Sequence, residues 1–133
     1  MSWPELNNFE RREFSRPDIM QEDFLLALDE LRDRCGFPLV ITSDGRNQQD
    51  MDRIYSGVPR ENHPNSPHKR GRAVDVQPVP NTPAKRIILL HHITGMYIDG
   101  TLPRLGLEVA TRHIHFDNDD VLTRPWLWVG KSR

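Results

Sequence analysis

Two short stretches of this chain carry the residue types that bind a divalent metal ion. In the first, residues 66–75, His68 is followed by Gly71 and then by the carboxylate of Asp75, so a flexible turn separates a nitrogen ligand from an oxygen ligand. The second, residues 113–117, holds two further imidazoles and another carboxylate, which could complete the same site. Zinc binds imidazole nitrogen and carboxylate oxygen, and a catalytic zinc site typically has three protein ligands and one position for water. The two stretches therefore raise the hypothesis of a zinc site, against the alternatives of a surface loop around His68 and of ordinary half-buried histidines on a strand.

The alternation of side chains indicates how these stretches are presented. Residues 73–77 alternate in a way that predicts a strand with Asp75 opposite its apolar face. Residues 112–117 alternate likewise, which places both histidines and the second carboxylate on one face. The proline-rich residues 57–72 predict a long loop that carries His68. A loop and two strands would thus supply the ligands.

The elements before this loop follow from apolar spacing. Apolar side chains recur at three- and four-residue steps over residues 18–35, which predicts a helix that Gly36 ends. Residues 39–42 form a β-branched run that predicts a buried strand, with Arg46 just beyond its end. A short helix is expected over residues 47–57.

The remaining segments are read in the same way. Thr82 and the proline after it are a typical helix start, and we expect this helix to run to about Thr94, before Gly95. Residues 1–17 are polar and irregular, and we expect them to lie across the domain surface with their aromatic rings as anchors. The alternating tryptophans at 126 and 128 are interpreted as part of the core rather than a groove wall.

Composition bounds the class of protein. At 133 residues the chain predicts a single domain, 1–133. Its 18 basic and 19 acidic residues give a net charge of -1, so neither nucleic acid nor a membrane surface is an expected partner. The single cysteine excludes an internal disulfide and a cysteine-based zinc finger. The first residues lack the features of a secretory signal, which predicts a protein that is cytoplasmic as synthesised.

Three segments resemble the zinc D-alanyl-D-alanine metallopeptidases, a family whose fold is shared by some phage endolysins and by the hedgehog signalling domain. Residues 66–75 read S-x-H-x-x-G-x-A-x-D, which matches the family's first metal motif at every defining position. Residues 41–46, I-T-S-x-x-R, are similar to the strand and turn that carry its substrate-binding arginine. Residues 113–115, H-I-H, resemble its second metal segment, in which the later histidine is the ligand.

The resemblance implies a set of roles. His68, Asp75 and His115 would bind one Zn²⁺ per chain, and Arg46 and Ser66 would bind the substrate. A guanidinium at position 46 could hold a substrate carboxylate through two hydrogen bonds. The implied activity is hydrolysis of peptidoglycan stem peptides, by a D-Ala-D-Ala carboxypeptidase or an endolysin-type endopeptidase. The implied fold is α+β, with a small, mainly antiparallel sheet that bears the metal residues on one face and helices on the other.

The general base departs from the family pattern. Members commonly hold a carboxylate three residues before the last zinc histidine, but Arg112 occupies that position and stays protonated. Two carboxylates could replace it: Glu108, near the position of the glutamate in hedgehog-type members, and Asp117, on the predicted face of His115. Glu108 is slightly preferred. His113 would then stabilise the negative charge of the tetrahedral intermediate.

Two other functions compete with the peptidase. One is a virion or assembly protein that keeps the fold and the zinc for stability and lacks the base. The other is a binding module that recognises cell-wall peptides through Arg46 without cutting them. A phage-encoded protein would act on the cell wall after lysis or as part of a virion, so virion components are possible partners.

Overall fold

The computed structural model describes residues 3–132. The helices in this range are α1 (Glu22–Cys35), α2 (Gln48–Ile54) and α3 (Pro83–Ile98). The strands are β1 (Leu39–Ser43), β2 (Ala73–Pro78), β3 (Gly106–Val109), β4 (Ile114–Asp117) and β5 (Trp126–Val129). Short 3-10 turns lie at Arg11–Glu13, Arg60–Asn62 and Pro67–Arg70. Within residues 3–132, no helix has the length and apolar character that crossing a membrane requires.

The five strands form one mixed sheet in the order β1-β2-β4-β3-β5. The pairs β1–β2, β2–β4 and β3–β4 are antiparallel, and β5 joins β3 in parallel. The predicted α+β class is therefore confirmed, with one parallel pair at the edge of the sheet. In this register His115 lies opposite Asp75 on one side and opposite Glu108 on the other. Three candidate site residues thus form a row across the middle of the sheet.

The hydrophobic core lies on the face of the sheet opposite to this row of residues. Val74, Val76, Ile114 and Phe116 are fully buried and belong to the cluster that also contains the apolar side chains of α1 and α3. Successive side chains of a strand point to opposite faces. Burying these four residues against the helices therefore turns the residues between them, including His115, toward the opposite face.

The helix boundaries differ from the predicted ones in all three helices, and α2 covers only Gln48–Ile54 of the predicted residues 47–57. The α1 helix ends as predicted at Gly36, which is left-handed with φ 73°, but it begins at Glu22 rather than residue 18. The Gln21 N–H donates to the Gly71 carbonyl at 3.0 Å, which keeps the preceding segment out of the helix. The α3 helix starts after Thr82 as predicted and continues through Gly95 to Ile98. A helical glycine costs only about 1 kcal/mol, and the buried Met96 next to it holds the last turn in place.

Two strands depart from the sequence reading. β1 is an edge strand whose side chains alternate between buried or half-buried and exposed, so the prediction of a buried strand is wrong for one of its faces. β3 had no predicted counterpart.

The N-terminal segment crosses the helices as expected. Residues 1 and 2 lie outside the described residues. Phe9 and Phe14 are buried, and the ring of Trp3 lies 5.2 Å from that of Phe14 between centroids. The backbone N–H groups of Ser15 and Arg16 donate to the carboxylate of Asp44 at 2.6 and 3.2 Å. This segment therefore also braces the turn after β1.

Candidate metal centre

The three predicted metal ligands, His68, Asp75 and His115, lie together and are called the metal triad below. One nitrogen or oxygen of each lies within 4.8 Å of the others. Asp75 Oδ1 is 3.3 Å from His68 Nε2 and 3.0 Å from His115 Nδ1. All three side chains are nearly buried. Two segments about 40 residues apart in the chain therefore converge on a point where one cation could contact all three groups.

Each imidazole of the triad is oriented by a contact at its other nitrogen. His68 Nδ1 lies 2.7 Å from the backbone carbonyl of Asp44, which can only accept, so Nδ1 donates and Nε2 is the free acceptor. His115 Nε2 lies 2.7 Å from Asp117 Oδ2, which leaves Nδ1 facing Asp75. Such contacts fix the tautomer of a metal-binding histidine. The donor set, two oriented nitrogens and one carboxylate oxygen, fits a metal ion.

The loop that carries His68 needs a small residue at its end. Ser66 caps the 3-10 turn Pro67–Arg70 by accepting the His68 N–H at 3.2 Å. Gly71 then adopts φ 69°, and a Cβ at this position would lie 1.9 Å from the Ile19 carbonyl oxygen. Both the left-handed backbone and the close approach of residue 19 require glycine. Ser66, expected to bind substrate, lines the cavity, and its hydroxyl accepts one hydrogen bond in this cap.

Asp117 does not face the cavity, contrary to the expectation for a base. Its side chain is 0% exposed, and both oxygens accept hydrogen bonds from the Arg124 guanidinium, at 2.7 and 2.8 Å. Burial would raise the pKa of Asp117, but hydrogen bonds with His115 and Arg124 outweigh it and lower the pKa to about 2. A strongly paired carboxylate behind His115 cannot reach a reacting group in the cavity. We therefore correct its role from base to orienting partner of His115.

Glu108 remains as the carboxylate beside the triad. It lies on β3 directly opposite His115, and its Oε1 is 3.4 Å from His113 Nε2. His113 Nε2 is also 3.8 Å from Asp75 Oδ2. Both Glu108 and His113 line the cavity that exposes the triad. The structure thus brings these two predicted catalytic residues together at the metal triad.

The charges of the triad differ between its members. Burial lowers the pKa of His68, which favours the neutral ligand form. Burial would raise the pKa of Asp75, but hydrogen bonds from His115 and His68 outweigh it and hold the pKa well below its usual range. Burial would also lower the pKa of His115, yet hydrogen bonds to Asp117 and Asp75 raise it to about 9. In metal-free protein near neutral pH, His115 therefore carries a proton that a metal must displace.

Arg46 lies at the floor of the same cavity, whose volume is about 1110 Å³. Its Nη2 donates to Ser43 Oγ at 3.1 Å and is 4.0 Å from Asp75 Oδ2, and its side chain is only 14% exposed. Its Nε is buried without a hydrogen-bond partner among the described residues. A buried donor without a partner is unusual, and the guanidinium lines the cavity, where it can donate hydrogen bonds to a carboxylate ligand.

Several contributing residues were missed or misread from the sequence. Trp126 and Trp128 line the cavity instead of the core, and the Trp128 ring lies 5.3 Å from that of His115. Their alternation was visible, but the side they face depends on the pairing of β5 with β3. Arg124 and Ser132 gave no local signal, because their partners lie on other strands or turns.

Comparisons of the chain with protein-family models, with curated proteins and with solved structures return no match.

Proposed function

We propose that this chain is a zinc-dependent peptidase that hydrolyses bacterial cell-wall peptides, as a D-Ala-D-Ala carboxypeptidase or an endolysin-type endopeptidase. The observation that carries the proposal is the metal triad, whose ligand atoms lie within 4.8 Å of one another beside the carboxylate of Glu108 and the imidazole of His113. All of these groups open into one cavity large enough for a short peptide.

The choice of zinc rests on the donor set. Two imidazole nitrogens and one carboxylate oxygen form a three-ligand set that is typical of catalytic zinc. When bound, zinc supplies a Lewis acid and lowers the pKa of its water toward neutrality. Calcium and magnesium prefer sites made of oxygen ligands, which two imidazoles do not provide.

The residues around the triad supply a proton acceptor and a donor that stabilises negative charge. Glu108 is the proton acceptor, because its carboxylate lines the cavity and is not held by an arginine, unlike that of Asp117. His113 Nε2 lies between Glu108 and Asp75, where it can donate a hydrogen bond to the carbonyl oxygen as negative charge develops on it. The proton held by Glu108 then passes to the leaving amine.

Arg46 suggests the class of peptide. Its guanidinium lines the cavity and its Nε has no hydrogen-bond partner among the described residues, which suits the terminal or side-chain carboxylate of a stem peptide. Arg112 and Lys131 are exposed and also line the cavity, and neither forms an ion pair within residues 3–132. In the described part of the chain, four cationic side chains line the cavity, and Arg124 alone among them is neutralised by a close ion pair, with Asp117; the other three favour an anionic peptide over a neutral one.

The competing function is a non-catalytic protein that binds zinc or cell-wall peptides. Arg112 favours it, because this residue stands where related peptidases hold a carboxylate. Zinc binding without turnover on any cell-wall peptide would support this second function.

Metal content and turnover test the proposal. Purified protein should bind about one zinc per chain, and His115→Ala should abolish this binding. The zinc-loaded protein should release D-alanine or cleave stem peptides, and a chelator should stop the reaction. Full zinc retention by His115→Ala would reject the ligand assignment.

A matched pair of variants tests the base. Glu108→Gln should lower turnover by about 10²–10⁴-fold at constant zinc content. Glu61→Gln removes an exposed carboxylate from a 3-10 turn and should leave turnover unchanged. Normal turnover in Glu108→Gln would reject Glu108 as the base.

A further inference from the structure

We propose that Ser132 is a positioning residue that holds His113 in the tautomer with its proton on Nε2, the ring nitrogen that lies beside Glu108 in the cavity. The consequence for turnover rests on the proposed function, whereas the hydrogen-bond arrangement can be tested without it. No feature of the sequence near the chain end pointed to such a role.

The contacts of the Ser132 hydroxyl determine its direction. Its Oγ lies 2.6 Å from the backbone nitrogen of Arg112, 3.2 Å from that of His113 and 2.9 Å from His113 Nδ1. Backbone N–H groups can only donate, and a hydroxyl offers two lone pairs and one proton. The two N–H groups therefore occupy the lone pairs, and the hydroxyl proton goes to His113 Nδ1.

This arrangement determines which nitrogen of His113 can donate to the cavity. A neutral imidazole carries one proton, so an accepting Nδ1 leaves that proton on Nε2. Nε2 lies 3.4 Å from Glu108 Oε1 and 3.8 Å from Asp75 Oδ2, and both carboxylates favour a donor there. In the other tautomer Nε2 would present a lone pair to these carboxylates and could not stabilise negative charge in the cavity.

The backbone that leads to Ser132 packs closely against the Glu108 carboxylate. A Cβ at Gly130 would lie 1.9 Å from Glu108 Oε2, and the Gly130 N–H donates to the Val109 carbonyl at 3.1 Å. Residues 130–132 therefore pass directly over Glu108 before Ser132 reaches His113. One segment accommodates the carboxylate and orients its imidazole neighbour.

A serine, a histidine and a glutamate in contact could also form a nucleophile with its base. A nucleophilic serine must present a lone pair to the substrate. Both lone pairs of Ser132 are engaged by the backbone N–H groups of Arg112 and His113. We therefore infer that Ser132 orients His113 and does not attack. A serine-reactive fluorophosphonate should leave Ser132 unlabelled, and stoichiometric labelling would overturn the proposal.

Nitrogen NMR of the full chain tests the tautomer directly, with and without added zinc. Protonated and unprotonated ring nitrogens give distinct ¹⁵N signals, and His113→Gln identifies those of His113. The native chain should show a bare Nδ1 and a protonated Nε2. Ser132→Ala should lose this single tautomer, and Ser132→Thr should keep it. A proton on Nδ1 in the native chain overturns the proposal, so the test stands even if Ser132→Ala fails to fold. An unchanged tautomer in folded Ser132→Ala overturns it as well.

Kinetics provide the second measurement. Ser132→Ala should lower kcat by about 10–100-fold, as expected for loss of an orienting partner, with KM and zinc content unchanged, and Ser132→Thr should restore it. Thr94→Ala removes an exposed hydroxyl that bonds only to its own helix, and should have no effect. Absence of zinc binding or turnover in the native chain would refute the proposed function and leave the NMR test valid. A normal kcat in zinc-loaded Ser132→Ala would refute the role of Ser132.

Discussion

Replacing Asp117 with asparagine should have two effects that can be measured separately. It should change the zinc affinity of the metal triad, and it should lower the free energy of unfolding. The side chain of Asp117 is fully buried, accepts two hydrogen bonds from Arg124 and contacts His115 Nε2 at 2.7 Å. Asparagine keeps nearly the same shape but removes the charge. The substitution therefore leaves the Arg124 guanidinium, itself only 5% exposed, without a counterion.

Two magnitudes follow from this geometry. Breaking a buried ion pair from one side costs about 3–5 kcal/mol of unfolding free energy. Loss of the partner that orients a metal-binding histidine typically lowers metal affinity about 10–100-fold, which is about 1.4–2.8 kcal/mol. Asp117 also helps to raise the pKa of His115 to about 9. The substitution should therefore lower this pKa, and with it the affinity of His115 for the proton that competes with the metal. The two effects on affinity oppose each other near neutral pH.

The assay must therefore separate intrinsic affinity from proton competition. Zinc affinity, measured by competition with a chelator, should show the full loss in Asp117→Asn above pH 9 and a smaller loss at pH 7. Urea unfolding of metal-free protein gives the stability cost. Asp29→Asn is the control, since this carboxylate holds the backbone of Asn7 and Asn8 far from the triad in sequence. It should lower stability and leave zinc affinity unchanged.

Two results would refute this reasoning. Unchanged zinc affinity in Asp117→Asn above pH 9 would show that Asp117 does not support His115. Unchanged unfolding free energy would show that the buried pair with Arg124 does not stabilise the fold.

Three further predictions concern single positions. Because metal-free His115 has a pKa of about 9, zinc affinity should rise about tenfold per pH unit up to that pH, and a flat profile from pH 6 to 9 would contradict this. Gly71→Ala should lower the urea unfolding free energy by more than Gly57→Ala, since both have positive φ but only Gly71 meets another backbone, at 1.9 Å from Ile19; equal losses would contradict the close approach. Gly130→Ala should displace the flexible Glu108 carboxylate and lower turnover with little loss of stability, and unchanged turnover would contradict the contact.

Local patterns predicted the two stretches that hold the metal triad, and the resemblance to the zinc D-alanyl-D-alanine metallopeptidases selected His68, Asp75 and His115 within them. Alternation along a strand decides which side chains share a face, and this holds for Asp75 and His115 wherever their strands pair. Gly36 and Thr82 likewise mark helix ends through interactions within one or two turns. The α+β class was predictable from the same patterns.

Local patterns could not predict that Glu108 and Asp117 have different roles, one as the proposed base and the other as the partner that orients His115. Both are carboxylates close to His115 in sequence, and no local signal distinguishes a base from an orienting partner. The difference arises because Arg124, from a separate segment, pairs with Asp117, while β3 pairs with β4 and places Glu108 beside His113.

The sequence by itself indicated the two stretches that hold the candidate metal ligands, the glycine that their loop requires and most of the helices and strands, since each depends on neighbours along the chain. Only the tertiary structure decided which groups surround those ligands. The N-terminal segment braces Asp44, whose carbonyl orients His68, and the last residues bring Ser132 to His113. These contacts depend on how distant segments pack, which no local pattern of residues specifies.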